Sequence, residues 1–213
     1  MVVFRLILGF SRRKCHSASL NGSQPSIFEA IEHGLWKFDG APKELAELGF
    51  IEHAYNILFI GPAGIGKSHL SIALGLKACA QRKRVLFTSA MNLLDQMVAA
   101  VVSHTLGKTL EALGRLDLLM VDELCYMPVD IQRGNLFFQL ISRRYEKGSI
   151  ILSTNKPFDR WGEIFEDDVI ASAILDRLLH NCHIIPTSGP SYQIKDKLEK
   201  LKSKELNKMA KVW

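Results

Sequence analysis

Eight consecutive residues, Gly61-Pro62-Ala63-Gly64-Ile65-Gly66-Lys67-Ser68, limit what this chain can fold into. The apolar run 57–60 enters them directly and is short enough for a buried strand, and an alanine- and leucine-rich helical pattern over 68–80 leaves them. Strand, glycine loop and helix are the setting that a P-loop requires. Gly61, Gly64 and Gly66 let the backbone curl so that several N–H groups face one anion, to which the helix start adds its positive dipole end. Lys67 would reach the β- and γ-phosphates of a nucleotide and the Ser68 hydroxyl would ligate Mg2+, so residues 61–69, from Gly61 through Pro62, Ala63, Gly64, Ile65, Gly66, Lys67 and Ser68 to His69, are the candidate nucleotide-binding set. The competing reading, a glycine turn before a helix with an exposed lysine, needs neither flanking element.

The rest of the chain supplies a parallel sheet for that loop. Residues 84–88 form a second apolar strand pattern, and Asn92 is placed to cap a helix carrying Leu93, Leu94, Met97, Val98, Val101 and Val102. A further helical pattern over 105–113 makes two helices between strands, one more than a plain βαβ unit needs. Leu118-Leu119-Met120-Val121 is a third strand pattern that ends in Asp122-Glu123. The helix expected over 132–147 turns Leu136, Phe137, Leu140 and Ile141 inward, with Arg143, Arg144 and Glu146 largely outward. A fourth strand over 149–155, a helix over 171–180 and a short strand over 183–185 complete an alternating pattern, which predicts an α/β fold with a mostly parallel sheet. Upstream, a short amphipathic helix over 42–51 offers Leu45, Leu48 and Phe50 to the core. Residues 11–26 mix polar and turn-forming types without period and read as a loop or disordered linker.

Two carboxylates at the phosphate edge of such a sheet carry the next step. Asp122 is placed to hold Mg2+ through water, and Glu123 to polarise an attacking water as general base. A helix cap is the alternative use of such a pair. Asn155, at the tip of the fourth strand, can bridge the carboxylates and the water near the γ-phosphate, or serve as a turn residue before Lys156-Pro157. Arg177 either pairs with Asp176 or Asp168 on the surface or acts as an arginine finger in the site of a neighbouring subunit. An acidic pair of this kind favours ATP hydrolysis over transfer to a small acceptor, which argues against a small P-loop kinase.

Composition narrows the setting. Charged residues make up 23% and hydrophobic ones 47% of 213 residues, as in ordinary globular proteins, and the net charge of +5 permits a polyanionic partner without requiring one. Cys15, Cys79, Cys125 and Cys182 form no CxxC pair, which suits a reduced cytoplasmic chain, and His180, Cys182 and His183 are read as packing residues, not as a metal site. No apolar run approaches a membrane span, and Arg12-Arg13-Lys14 follow the apolar N-terminal stretch where a secretory signal would place its charges before it. The lysine-rich stretch over 195–211 has helical spacing and reads as a solvated helix or a nucleic-acid contact.

Together GPAGIGKSHL, LLMVDELCYMP, FFQLISRRYEKGSIILSTNKPFDRWGEIF and AILDRLLH resemble the IstB-type ATPases, AAA+ helper proteins of insertion-sequence transposition that are similar to DnaC-type helicase loaders. The resemblance covers about residues 42–192. It implies a P-loop NTPase of AAA+ type, a three-layer sandwich on a five-stranded sheet of order 5-1-4-3-2. It implies Lys67 and Ser68 as Walker A, Asp122 and Glu123 as Walker B, Asn155 as sensor 1 and Arg177 as the trans-acting arginine. It also implies ATP with Mg2+, ATP-driven self-association on duplex DNA with the segment 92–113 on the DNA-facing side, and service to a cognate transposase. The expected organisation is a poorly determined segment over 1–40, an AAA+ ATPase domain over 41–193 and a basic helix or tail over 194–213.

Residues 1–40 do not resemble the longer helical N-terminal domain usual in the family, and Gln193 stands where the family commonly has arginine, so no second sensor arginine is assigned. Two alternatives stay open: a replicative helicase loader, which would prefer single-stranded nucleic acid and a protein ring, and a truncated ATP-binding remnant without transposition activity.

Overall fold

The computed structural model describes Leu45, residues 47–124 and residues 129–188. The expectations for 1–40, for Gln193 and for 194–213 lie outside them. Five strands, β1 (Asn56–Ile60), β2 (Val85–Ser89), β3 (Leu118–Leu124), β4 (Ser149–Thr154) and β5 (Cys182–Pro186), form one sheet of order β2-β3-β4-β1-β5, the order 5-1-4-3-2 read from the other edge. All four pairings are parallel. Parallel neighbours need crossovers, and the helices that make them cover both faces.

The two faces follow from the two-residue period of the strands. On one side Ile57, Phe59, Leu118, Met120 and Ile151 pack against α2 (Lys67–Ala80) through Leu70, Leu74 and Ala78, and against Leu45, Leu48, Phe50 and Ile51 around α1 (Gly49–Glu52). On the other, Leu58, Leu119, Val121, Ile150 and Leu152 meet α3 (Ala90–Val102), α4 (Leu106–Gly114), α5 (Ile131–Arg144), α6 (Gly162–Phe165) and α7 (Asp168–Leu179). The result is the three-layer α/β sandwich. Trp161, between a 3-10 turn (Phe158–Arg160) and α6, is fully buried against Phe158 and Phe165.

Three local readings are corrected. The cap of α3 is Ser89, whose hydroxyl accepts the N–H of Asn92, so Asn92 lies inside the first turn. The helix expected over 42–51 is interrupted at Leu48, whose left-handed backbone (φ 64°) starts the separate four-residue α1, although Leu45, Leu48 and Phe50 are buried as expected.

The third is Arg144, which is 1% exposed and points inward. Its Nη1 donates to the carbonyls of Leu113 (2.6 Å) and Leu116 (3.1 Å), and its Nη2 to that of Ser149 (2.8 Å). One guanidinium thus ties the end of α4 to the start of β4, satisfying carbonyls that a helix end leaves open. Burial draws its pKa down to about 10 against the opposing charge of Asp117.

Candidate functional site

In a parallel sheet all strands deliver their C-terminal ends to one edge, and a ligand site forms there. Here that edge gathers the loop after β1, the acidic pair in β3, the end of β4 and the residue after β5. Gly61, Gly64 and Gly66 all have positive φ (155°, 79° and 102°), conformations that a side chain would disfavour. The loop is fastened at its start, where the Gly61 N–H donates to Thr154 (3.1 Å), and buried Ile65 holds its far side. Pro62, Ala63 and His69 are exposed. Gly66 is the N-cap of α2 and no side chain caps that end, so the first N–H groups of a 14-residue helix face the loop.

Lys67 folds back over this loop: its ammonium donates to the carbonyls of Gly61 and Pro62, both at 2.6 Å. Partial burial lowers its pKa, and the charges of Asp122 and Glu123 oppose that shift. Those carboxylates therefore act on the lysine across the sheet edge, although β3 and β1 are separated by β4.

The acidic pair sits on a bulge. Val121 pairs with Leu152 and Leu124 with Thr154, so Asp122 and Glu123 together oppose the single residue Ser153. The inserted residue explains why Leu124 joins the core face of Leu119 and Val121 instead of the face of Leu118 and Met120. Glu123 absorbs the distortion in a left-handed backbone (φ 59°), a conformation that costs a non-glycine residue about 1–3 kcal/mol and clusters at functional sites. Ser153 Oγ accepts the Glu123 N–H (3.0 Å) and donates to Asp122 Oδ1. Asp122 is half-buried and Glu123 exposed.

Of the remaining candidates, Asn155 is exposed immediately after β4, one residue past the strand end that anchors Gly61. Arg177 stands apart. It lies over the Phe138 ring (4.4 Å) and donates to the Ala173 carbonyl (3.3 Å), on the side of the sheet opposite α2. Among the described residues neither Asp176 nor Asp168 forms an ion pair with it.

Two participants were missed in the sequence. Ser153 falls inside the strand expected over 149–155 with no role of its own, yet a hydroxyl in a buried strand two residues before Asn155 marks the same face as the acidic pair. Thr187, 3% exposed, donates from its N–H (2.7 Å) and hydroxyl (2.9 Å) to the Ile60 carbonyl just before the loop. No sequence signal distinguished it.

The chain is similar to known proteins in sequence and in fold. The family described as IstB-like ATP binding protein matches residues 39–200. The chain is 45% identical over 155 residues to the insertion sequence IS21 putative ATP-binding protein of Pseudomonas aeruginosa, covering 73% of this chain and 58% of that protein. It is 41% identical over 157 residues to the IS232 putative ATP-binding protein of Bacillus thuringiensis subsp. berliner, covering 74% and 63%. Among solved structures, the DnaC helicase loader superposes with a TM-score of 0.55 at 18% identity over 79% of this chain and 92% of that one, a likeness of fold.

Proposed function

We propose, for a chain that belongs to the family of IstB-like ATP-binding proteins, that it hydrolyses ATP at the loop edge of its sheet and uses the cycle to assist a transposase on duplex DNA. The observation that carries the reading is the placement of the loop with Lys67 and of the pair Asp122 and Glu123 at one edge of the parallel sheet, with glycines and a helix start shaped for phosphate.

In this reading the backbone N–H groups of 61–68 cradle the phosphates, and a phosphate competes with the Gly61 and Pro62 carbonyls for the Lys67 ammonium. Ser68 and Asp122 would hold Mg2+, and their all-oxygen donor set suits a hard cation. The ion, when bound, offsets charge on the transferred phosphoryl group. Glu123 is exposed and can take a proton from an attacking water, while Asn155 helps to orient that water. Arg177, turned away from its own chain's loop, serves the site of a neighbouring copy in an ATP-dependent oligomer. The net charge of +5 suits a polyanionic partner, with α3 and α4 on the DNA-facing side. Because the chain spans 58% of the IS21 relative and 63% of the IS232 relative, their whole activity is carried over only as this proposal.

The test is a pair of variants read by nucleotide binding and turnover. Lys67→Ala should lose ATP binding, and Glu123→Gln should bind ATP without turning it over. Equal turnover in Glu123→Gln and wild type removes Glu123 from the chemistry.

A further inference from the structure

We infer that Ser153 is the positioning residue for the hydrolytic glutamate, acting through the backbone of Glu123 and the carboxylate of Asp122. This rests on the ATPase reading of the same site. Two residues of β3 face one of β4 at the bulge, so the Glu123 N–H has left the regular ladder. Ser153 Oγ takes its place as acceptor (3.0 Å) and donates its own proton to Asp122 Oδ1.

The chemistry allows one arrangement of this hydroxyl. An amide N–H can only donate and an ionised carboxylate can only accept, so the single hydroxyl proton belongs to Asp122 and a lone pair to Glu123. At 2% exposure, water is a poor substitute for either partner. One buried group therefore engages both acidic residues: it accepts from the left-handed Glu123 backbone and commits one oxygen of Asp122. Without the hydroxyl, the bulge loses the contact that compensates its missing ladder bond. Relaxation to regular pairing would turn Glu123 toward the core face of Leu119 and Val121, away from a water at the loop.

The prediction is a split between binding and turnover. In Ser153→Ala, kcat should fall about 10²-fold, the scale of a misplaced catalytic group, while ATP affinity, measured with a fluorescent ATP analogue, stays near the wild-type value. Ser153→Thr, which keeps the hydroxyl in a strand-compatible side chain, should recover most of the loss. Amide exchange at Glu123 should be slow in wild type and Ser153→Thr and fast in Ser153→Ala. Wild-type turnover in Ser153→Ala, equal losses in the alanine and threonine variants, or fast exchange at Glu123 in the wild type each overturn the role of Ser153. A wild-type chain that hydrolyses no ATP overturns the ATPase reading itself, and the inference falls with it.

Discussion

Thr187 closes over Gly61. Its N–H and hydroxyl both donate to the Ile60 carbonyl, and its own carbonyl oxygen occupies the place where a Cβ on Gly61 would sit. The residue after β5 thus forms one wall of the loop's entrance, and the first glycine is required by contact as well as by its φ of 155°.

Gly61→Ala should therefore disturb both the loop and its wall. The collision is with backbone, which cannot rotate away as a flexible side chain can. The expected result is ATP affinity lowered at least about tenfold, equivalent to about 1.4 kcal/mol, with a lower melting temperature. Gly66→Ala meets no atom within 4 Å and is opposed only by its φ of 102°, so it should cost less stability. Calorimetric titration with ATP and thermal melts of the two variants check the order.

Arg144→Met should destabilise the fold by about 3 kcal/mol, because it removes the donors to Leu113, Leu116 and Ser149 and leaves buried carbonyls unpaired. Urea unfolding gives the value directly. Arg143→Met, one residue earlier and exposed, should stay within about 0.5 kcal/mol of wild type.

Acid should act on the turn after Asn155. Hydrogen bonds from Arg160 and then Lys156 hold the Glu163 carboxyl at a pKa of about 2, below the usual carboxylate range. A depressed folded-state pKa gives stability that is present above the unfolded value and lost as the pH falls through the folded one. The melting-temperature gap between wild type and Glu163→Gln should therefore be largest near neutral pH, shrink below the ordinary glutamate range and close near pH 2. Added salt should narrow it at any pH, since the three side chains meet at the surface. A gap independent of pH contradicts this account.

The parts of this architecture that the sequence made legible are those set by period and by backbone chemistry. Apolar runs mark β1, β3 and β4 most clearly, because strands covered on both faces carry few polar residues. The Gly61 to Ser68 spacing marked the loop because only glycine tolerates its turns. Spacing turns Arg144 outward because a guanidinium in the last turn of a helix is ordinarily solvated; its inward turn depends on the end of α4 and the start of β4, which local spacing does not encode. Spacing points to Asn92 as the cap because Ser89 also closes β2, so one residue serves two elements. Ser153 and Thr187 stayed hidden for a related reason: their roles arise from pairing across the sheet, where register and a bulge, not residue type, bring a hydroxyl to its partner. The acidic pair is legible in the sequence but its bulge is not, since Asp-Glu within a strand gives no sign of which residue leaves the ladder.

The central claim is that this sheet edge hydrolyses ATP in the service of work on duplex DNA. Its most direct test is steady-state ATP hydrolysis by the purified chain, with Glu123→Gln as the blank, measured alone, with duplex DNA and with single-stranded DNA of the same length. The account predicts turnover above the blank that rises with duplex. A chain that binds ATP but hydrolyses none under any condition contradicts it, and stimulation by single strands alone contradicts the duplex assignment in favour of a loader.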